Sequence, residues 1–312
     1  MIRLAVRVRR EQAELVLAEL LDLAPAGVEE TSVAADVVEY AVYGAPGELP
    51  SLPDLRAVVG GALVEISTSE IADDWQERWK GFHRPVLIEA PAHPTGSAVP
   101  ALRVRPPWEE PSRPQGAHVR EIVIDPGQAF GTGGHASTRL CLELLLALVA
   151  CEPPAGALLD VGTGSGVLAI AAALLGFEPI LGLDNELESV HAARENALVN
   201  GVEIEVRRLD LRSQALPWIE ERPPGDAPLV VTANLLRPLL LELAAGIGSA
   251  PAHLIAGGLL AHEADEVSEA FAARLGLRER ERRLSGDWAA LWLARGDQPA
   301  SGSSVAARTI AR

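Results

Sequence analysis

An apolar strand that runs into glycines at alternate positions and then into an apolar helix restricts this chain more than any other segment: Leu158-Leu159-Asp160-Val161-Gly162-Thr163-Gly164-Ser165-Gly166-Val167-Leu168-Ala169-Ile170. Glycines at such a turn let a ligand reach backbone N–H groups at a helix N-terminus without interference from a Cβ. A nicotinamide fingerprint, G-x-G-x-x-G, needs its third glycine at 167, where valine stands. Asp160, one residue inside the strand end, is also a poor neighbour for a pyrophosphate and a suitable one for a cationic ligand. Gly162 and Gly164 are therefore candidate ligand contacts, with a bare structural turn as the competing reading. Asp184 follows Gly162 by 22 residues and ends the run Ile180-Leu181-Gly182-Leu183, where an acidic side chain accepts both hydroxyls of a ribose. The indicated ligand is adenosine without phosphates. An ordinary helix N-cap before Asn185 and Glu186 is the alternative role for Asp184. Asp210, ending the next strand, stands where it would flank an adenine edge.

Around this segment the hydrophobic pattern alternates between periods of two and of helical spacing. Strands are expected at 157–161, 179–183, 203–209, 229–233 and 253–256, with helices at 166–175, 186–200, 238–245 and 261–275. The first three strands and two helices form a βαβαβ half of a doubly wound sheet. Leu277 to Leu284 and Trp288 to Ala294, split by Ser285-Gly286-Asp287, close it as an antiparallel hairpin. The N-terminal part has a different rhythm. Ile2, Leu4, Val6 and Val8 share one face, residues 11–23 turn helical, 28–33, 37–43 and 62–71 read as strands, and 52–59 as a second helix. That order, β-α-β-β-α-β, is a small ferredoxin-like α+β domain over residues 1–71. Residues 72–119 read as a linker helix at Asp73 to Trp79 followed by a proline-rich connector, 120–295 as the ligand-binding domain, and 296–312 as a disordered tail.

Composition narrows the function classes. Lys+Arg 27 against Asp+Glu 43 leaves a formal net charge of -16, which argues against direct nucleic-acid binding. A basic partner or a cationic ligand fits better; acidity that serves only solubility is the bland alternative. Cys141 and Cys151 offer neither a disulfide framework nor metal-ligand spacing, and the apolar stretches fall short of the ~20 residues that span a bilayer. A cytoplasmic protein with no membrane association and no bound metal is expected.

A second segment sharpens the picture. Ile124-Asp125-Pro126-Gly127-Gln128-Ala129-Phe130-Gly131-Thr132-Gly133-Gly134-His135-Ala136-Ser137-Thr138-Arg139-Leu140-Cys141-Leu142 is similar to the segment before the first sheet strand in the ribosomal protein L11 methyltransferases, the PrmA family. Further similarities lie in Asp74-Trp75, Arg105-Pro106-Pro107-Trp108, Thr232-Ala233-Asn234-Leu235, Gly258-Leu259-Leu260-Ala261 and Gly286-Asp287-Trp288. Departures stand at Gly134, where Thr is common, at Ala136-Ser137, where Pro-Thr is usual, and at Gly257, where Ser is frequent.

The resemblance implies a class I methyltransferase fold, Rossmann-like, with S-adenosyl-L-methionine as cofactor. It implies a protein N-methyltransferase acting on lysine and N-terminal amines of large-subunit ribosomal protein L11, with residues 1–71 recognising that substrate. Carried over by position, the cofactor contacts are Thr138, Gly162, Asp184 and Asn234, two of which the glycine turn and the ribose argument reach independently. A plain helix cap competes for Thr138. Asn234 ends the fourth strand at the mouth where open α/β sheets bind ligands, and its amide oxygen can accept from an amine, so an amine-positioning role is assigned to it. An Asn that merely ends a strand in a turn is the alternative. His135, a loop histidine among glycines, is read as a hydrogen-bonding strut and given no proton-transfer role. Rival functions are a methyltransferase of this fold acting on another protein or a small molecule, and a catalytically idle ribosome-binding module.

Overall fold

The structure, a computed structural model, describes residues 2–13, 16–17, 20, 28–34, 36–44, 49, 63–70, 83–89, 99–111, 119–126, 131, 133–152, 154, 156–218, 228–295 and 308–309. The chain divides into two compact units, residues 1–82 and 83–312.

In the first unit, β1 (Ile2–Arg9), β2 (Glu29–Ala34), β3 (Val37–Gly44) and β4 (Leu63–Glu70) form an antiparallel sheet in the order β2-β3-β1-β4. The period of two along β1 puts Leu4, Val6 and Val8 on one face, where they pack with Val38 and Tyr40 and with Val16 and Leu20, two helical positions of the chain. On the other face Arg3 and Arg7 pair with Glu39 at 2.6 and 2.7 Å. The strands fall where the sequence pattern puts them. The helices expected at 52–59 and 73–79 lie outside the described residues.

The second unit begins with a three-stranded sheet, β5 (Val86–Ile88), β6 (Ala101–Arg105) and β7 (Val119–Val123), in the order β5-β6-β7. This corrects the reading of 72–119 as linker. Pro85 and Pro100 stand immediately before β5 and β6 and Pro106 immediately after β6, so the prolines flank the strands and leave their ladders intact. Ile88, Leu102, Val104 and Ile122 join the core of this unit.

The main sheet has eight strands: β8 (Ala157–Val161), β9 (Ile180–Asp184), β10 (Glu205–Arg208), β11 (Leu229–Asn234), β12 (His253–Leu260), β13 (Leu277–Ser285), β14 (Trp288–Arg295) and the short β15 (Arg308–Thr309). Their order is β10-β9-β8-β11-β12-β14-β13-β15, parallel from β10 to β12 and antiparallel at β12-β14-β13. β8 and β9 are buried along their whole length, as unbroken apolar strands of a parallel sheet covered on both faces must be. Helices α1 (Ala136–Cys151), α2 (Val167–Leu175) and α3 (Leu187–Asn200) precede or follow the first strands, and α4 (Arg237–Gly246) and α5 (Ala264–Leu275) follow β11 and β12. One core layer contains Leu140 to Leu148 of α1, most of α2 and the small sheet; the other contains Leu240 and Leu243 of α4 and Val267 and Phe271 of α5. The sheet is doubly wound, as the pattern predicts.

Two differences have local causes. β12 continues through Gly257 and Gly258 to Leu260, with a register break between Ala256 and Leu259, so the glycine pair marks a bulge rather than the strand end. In the C-terminal tail, expected to be disordered, Arg308–Thr309 pairs in parallel with Arg283 and Leu284; the other tail residues lie outside the described ones.

Candidate active site

At the C-terminal end of β8 the chain makes its turn through Gly162 (φ 72°), Gly164 (φ 52°) and Gly166 (φ 83°), all in the left-handed region. A Cβ on Gly162 would run into the Leu235 side chain, and one on Gly166 would lie 3.1 Å from Cβ of Ala193 on α3. The last glycine thus serves helix packing, whereas Gly162 and Gly164 line a cleft. Gly164 N–H donates to Asp184 Oδ2 at 2.8 Å, and Glu186 N–H donates to Oδ1 at 3.0 Å. Asp184 at once fixes the glycine turn and opens α3, and each of its oxygens keeps lone-pair capacity for a further donor.

These groups form one side of a cleft of about 450 Å³. Its other side is made by Gly131, His135, Ser137, Asn234, Leu235, Leu236, Gly258 and Trp288. Of the residues singled out in the sequence, Gly162, Gly164, Asp184 and Asn234 line the cleft. Thr138 is fully buried behind Asn234, and its hydroxyl accepts from Asn234 Nδ2 at 3.2 Å. The Asn234 Oδ1 is buried with no hydrogen-bond partner. An unpaired buried carbonyl costs roughly 1–3 kcal/mol; this one lies against Gly257, where a Cβ would stand 3.2 Å from it.

His135 caps α1: its Nδ1 accepts from Ser137 N–H at 3.3 Å and lies 2.8 Å from Ser137 Oγ. Its ring meets Trp288 edge-on at 4.6 Å, and burial holds its pKa below the ordinary histidine value. The strut reading fits this geometry. Ser137 supplies the hydroxyl on the ring. Cys141 lies beneath Gly257, where a Cβ would collide with its Sγ, and burial pushes its thiol pKa up. Among the described residues no group of His, Cys, Asp and Glu is arranged to hold a metal.

Asp160 does not reach the cleft. It is 1% exposed, Thr163 Oγ1 donates to its Oδ2 at 2.8 Å and Thr232 Oγ1 to its Oδ1 at 2.7 Å. The strand's alternation turns position 160 into the core, so Asp160 joins β8, β11 and the glycine turn instead of facing a ligand. Burial pushes its pKa up to about 6, against the two threonine hydrogen bonds. Asp210 borders a smaller recess of about 160 Å³ beyond Asp184, with Asn185, Leu211 and Leu239. Its carboxylate accepts from Arg212 N–H and Ser213 Oγ, both at 3.0 Å.

Sequence reasoning assigned no cleft role to Trp288, Leu235 or Leu236. Trp288 pairs with Leu260 across β12 and β14, a contact between residues far apart in the chain. Its only local signal is the Ser285-Gly286-Asp287 turn that precedes it.

A parallel sheet with an antiparallel C-terminal pair, and a ligand cleft over the glycine turn of β8, define the class I methyltransferase fold. The family model described as ribosomal protein L11 methyltransferase (PrmA) matches residues 52–296. The chain is 38% identical over 271 residues to the ribosomal protein L11 methyltransferase of Syntrophotalea carbinolica, covering 86% of this chain and 78% of that one. It is 37% identical over 202 residues to the protein of that description from Symbiobacterium thermophilum, covering 64% of this chain and 59%, less than two thirds, of the relative. A crystal structure of ribosomal protein L11 methylase from Lactobacillus delbrueckii subsp. bulgaricus aligns with a TM-score of 0.53 at 29% identity, over 67% of this chain and 98% of that one. The chain belongs to the ribosomal protein L11 methyltransferase family.

Proposed function

We propose that this protein transfers methyl groups from S-adenosylmethionine to lysine and N-terminal amines of large-subunit ribosomal protein L11. Family membership supports the substrate, and the observation that carries the chemistry is Asn234, which lines the cleft and whose Oδ1 has no hydrogen-bond partner. One Nδ2–H is engaged by Thr138, and the amide oxygen is left as an acceptor for an incoming amine.

The residues fit the cofactor. Gly162 and Gly164 put backbone without side chains against the cleft while their own N–H groups are held by Leu183 and Asp184, Asp184 offers carboxylate oxygens to ribose hydroxyls, and the recess beside Asp210 and Leu211 has room for a base. Thr138 supports the site through Asn234. When bound, the cofactor supplies a methyl group already activated on a sulfonium. The protein's part is to orient the amine in line and keep it neutral. A lysine amine with a pKa near 10.4 is only about one part in a thousand neutral at pH 7, and an α-amine near 7.7–8.0 about a tenth. The apolar surfaces of Leu235, Leu236 and Trp288 disfavour the ammonium form. Asn234 Oδ1 accepts an N–H of the neutral amine and meets the positive charge that develops on nitrogen. His135 holds the start of α1 and takes no proton.

Residues 1–71 serve substrate recognition in this reading, and the protein works in the cytoplasm without binding nucleic acid or membrane. Among the described residues no helix is long and apolar enough to cross a membrane. Mass spectrometry of purified ribosomal protein L11 incubated with the protein and S-adenosylmethionine tests the proposal. Methyl increments on lysine and the N-terminal amine are expected. Cofactor binding without methylated L11 would assign another acceptor, and absence of cofactor binding would leave only the idle ribosome-binding module.

A further inference from the structure

Two residues that precede α1, Asp125 and the cleft residue Gly131, are tied to a single residue of the glycine turn. Asp125 N–H donates to Asn196 Oδ1 at 3.2 Å, and Asn196 Nδ2 donates to the Ser165 carbonyl at 2.9 Å. From the same serine, Oγ donates to the Gly131 carbonyl at 2.7 Å. Asn196 and Ser165 are 4% and 0% exposed, so these bonds do not compete with water. Gly131 itself sits at φ 100°, and a Cβ there would lie 3.2 Å from Ser165 Oγ. Asn196 and Ser165 thus connect Asp125 and Gly131 through three hydrogen bonds.

We infer that Asn196 is a positioning residue that fixes the Gly131–His135 wall of the cleft against the glycine turn. Its carboxamide is the smallest side chain that accepts from one backbone and donates to another across this gap. Aspartate would face the Ser165 carbonyl with a second acceptor, and an apolar residue would leave two buried backbone groups unpaired. One turn further along α3, Asn200 does a different job. Its Oδ1 accepts from Val123 N–H at 2.8 Å and its Nδ2 donates to the Val123 carbonyl at 2.7 Å, which finishes the free edge of β7 without touching the glycine turn. Asn200 is therefore the natural control: it secures the same segment of chain and has no bond to the turn.

The consequence lies in the reaction rather than in cofactor affinity, because the turn's link to Asp184 does not pass through Asn196. Misplacing the acceptor wall by an ångström costs up to about 100-fold in rate. This expectation rests on the proposed methyl transfer, so one of its readouts is independent of activity.

Full-length wild type, Asn196→Ala, Ser165→Ala, the double variant and Asn200→Ala are compared by three measurements. These are calorimetric affinity for S-adenosylmethionine, single-turnover methylation of ribosomal protein L11, and hydrogen exchange of peptides spanning residues 123–135 with and without cofactor. Asn196→Ala and Ser165→Ala should each lower the rate about 10- to 100-fold while affinity stays within about threefold, and the double variant should lose no more than the worse single one. Cofactor should slow exchange in this segment in the wild type and in Asn200→Ala, and fail to do so in Asn196→Ala. Should Asn196→Ala not fold, Asn196→Asp takes its place in the same three measurements, since it keeps the side-chain size and the bond from Asp125 N–H and loses only the one to the Ser165 carbonyl. The inference is overturned if Asn200→Ala slows the reaction as much as Asn196→Ala, or if the two losses add. It is equally overturned if cofactor-dependent protection survives in Asn196→Ala or is missing in the wild type. A wild type that binds cofactor and leaves L11 unmethylated refutes the proposed substrate, and exchange then decides the role of Asn196.

Discussion

The two sides of the cleft are built on opposite plans. On the glycine-turn side the polar groups already hold one another: Asp184 takes the N–H groups of Gly164 and Glu186, Thr163 holds Asp160, and Ser165 holds Gly131. On the opposite side Leu235, Leu236 and Trp288 present apolar surface around one amide whose oxygen has no partner. The first plan suits a ligand that arrives with its own charge and many hydrogen-bonding groups and needs a preset frame. The second suits a ligand with a single critical polar atom on an aliphatic stem. A site that joins a nucleoside-based donor to an alkyl amine needs one side of each kind.

Substitutions on each side sharpen this contrast. The largest effect is expected from Gly258→Ala on the apolar side. Gly258 has φ 78°, and a Cβ would lie 2.5 Å from the Leu235 carbonyl oxygen, a backbone atom that cannot rotate away. Strain and overpacking together should cost about 4 kcal/mol, read as a lowered midpoint in urea unfolding. A midpoint like that of the wild type would show that the β12 bulge yields. Next comes Asp184→Ala on the glycine-turn side. Loss of a carboxylate that accepts charge-assisted bonds should weaken S-adenosylmethionine by roughly 1.5–3 kcal/mol in calorimetry. An unchanged affinity removes Asp184 from the ribose site.

The smallest effect concerns Asp160, beneath the glycine turn. Its folded pKa, about 6, lies above that of an unfolded aspartate, so the protonated form is favoured by folding. The resulting stability is fully present below the unfolded pKa and is lost as pH rises to about 6, with a slope of at most about 1.4 kcal/mol per pH unit. Between pH 4 and 6 Asp160→Asn should lack this decline, so its stability relative to the wild type rises with pH. Parallel curves for the two proteins would mean that Asp160 is ionised in the fold throughout.

The glycine-turn side was also the more legible one in the sequence. β8, the turn and β9 lie within 30 residues, and their periodicity, glycines and Asp184 can be read without knowing what pairs with what. Asn234 was placed by its position at a strand end. The partners that give it meaning, Thr138 from α1 and Trp288 from the hairpin, come from segments far apart in the chain. β5 and β6 were hidden because their flanking prolines look like those of a linker. Asp160 was misplaced because an acidic residue near a strand end gives no sign of two threonines waiting to receive it. Asn196 and Asn200 lie on α3 among ordinary helical residues, and only the tertiary path of the chain brings Asp125 and Val123 to them.

The division of labour itself is tested most directly by Asn234→Ala, measured by equilibrium binding of S-adenosylmethionine beside single-turnover methylation at saturating cofactor. Loss of the unpaired Asn234 amide oxygen should lower the single-turnover rate by about tenfold or more while the cofactor dissociation constant stays within about threefold. A dissociation constant that rises while the saturated rate stays at the wild-type value would make Asn234 a cofactor ligand and contradict the account.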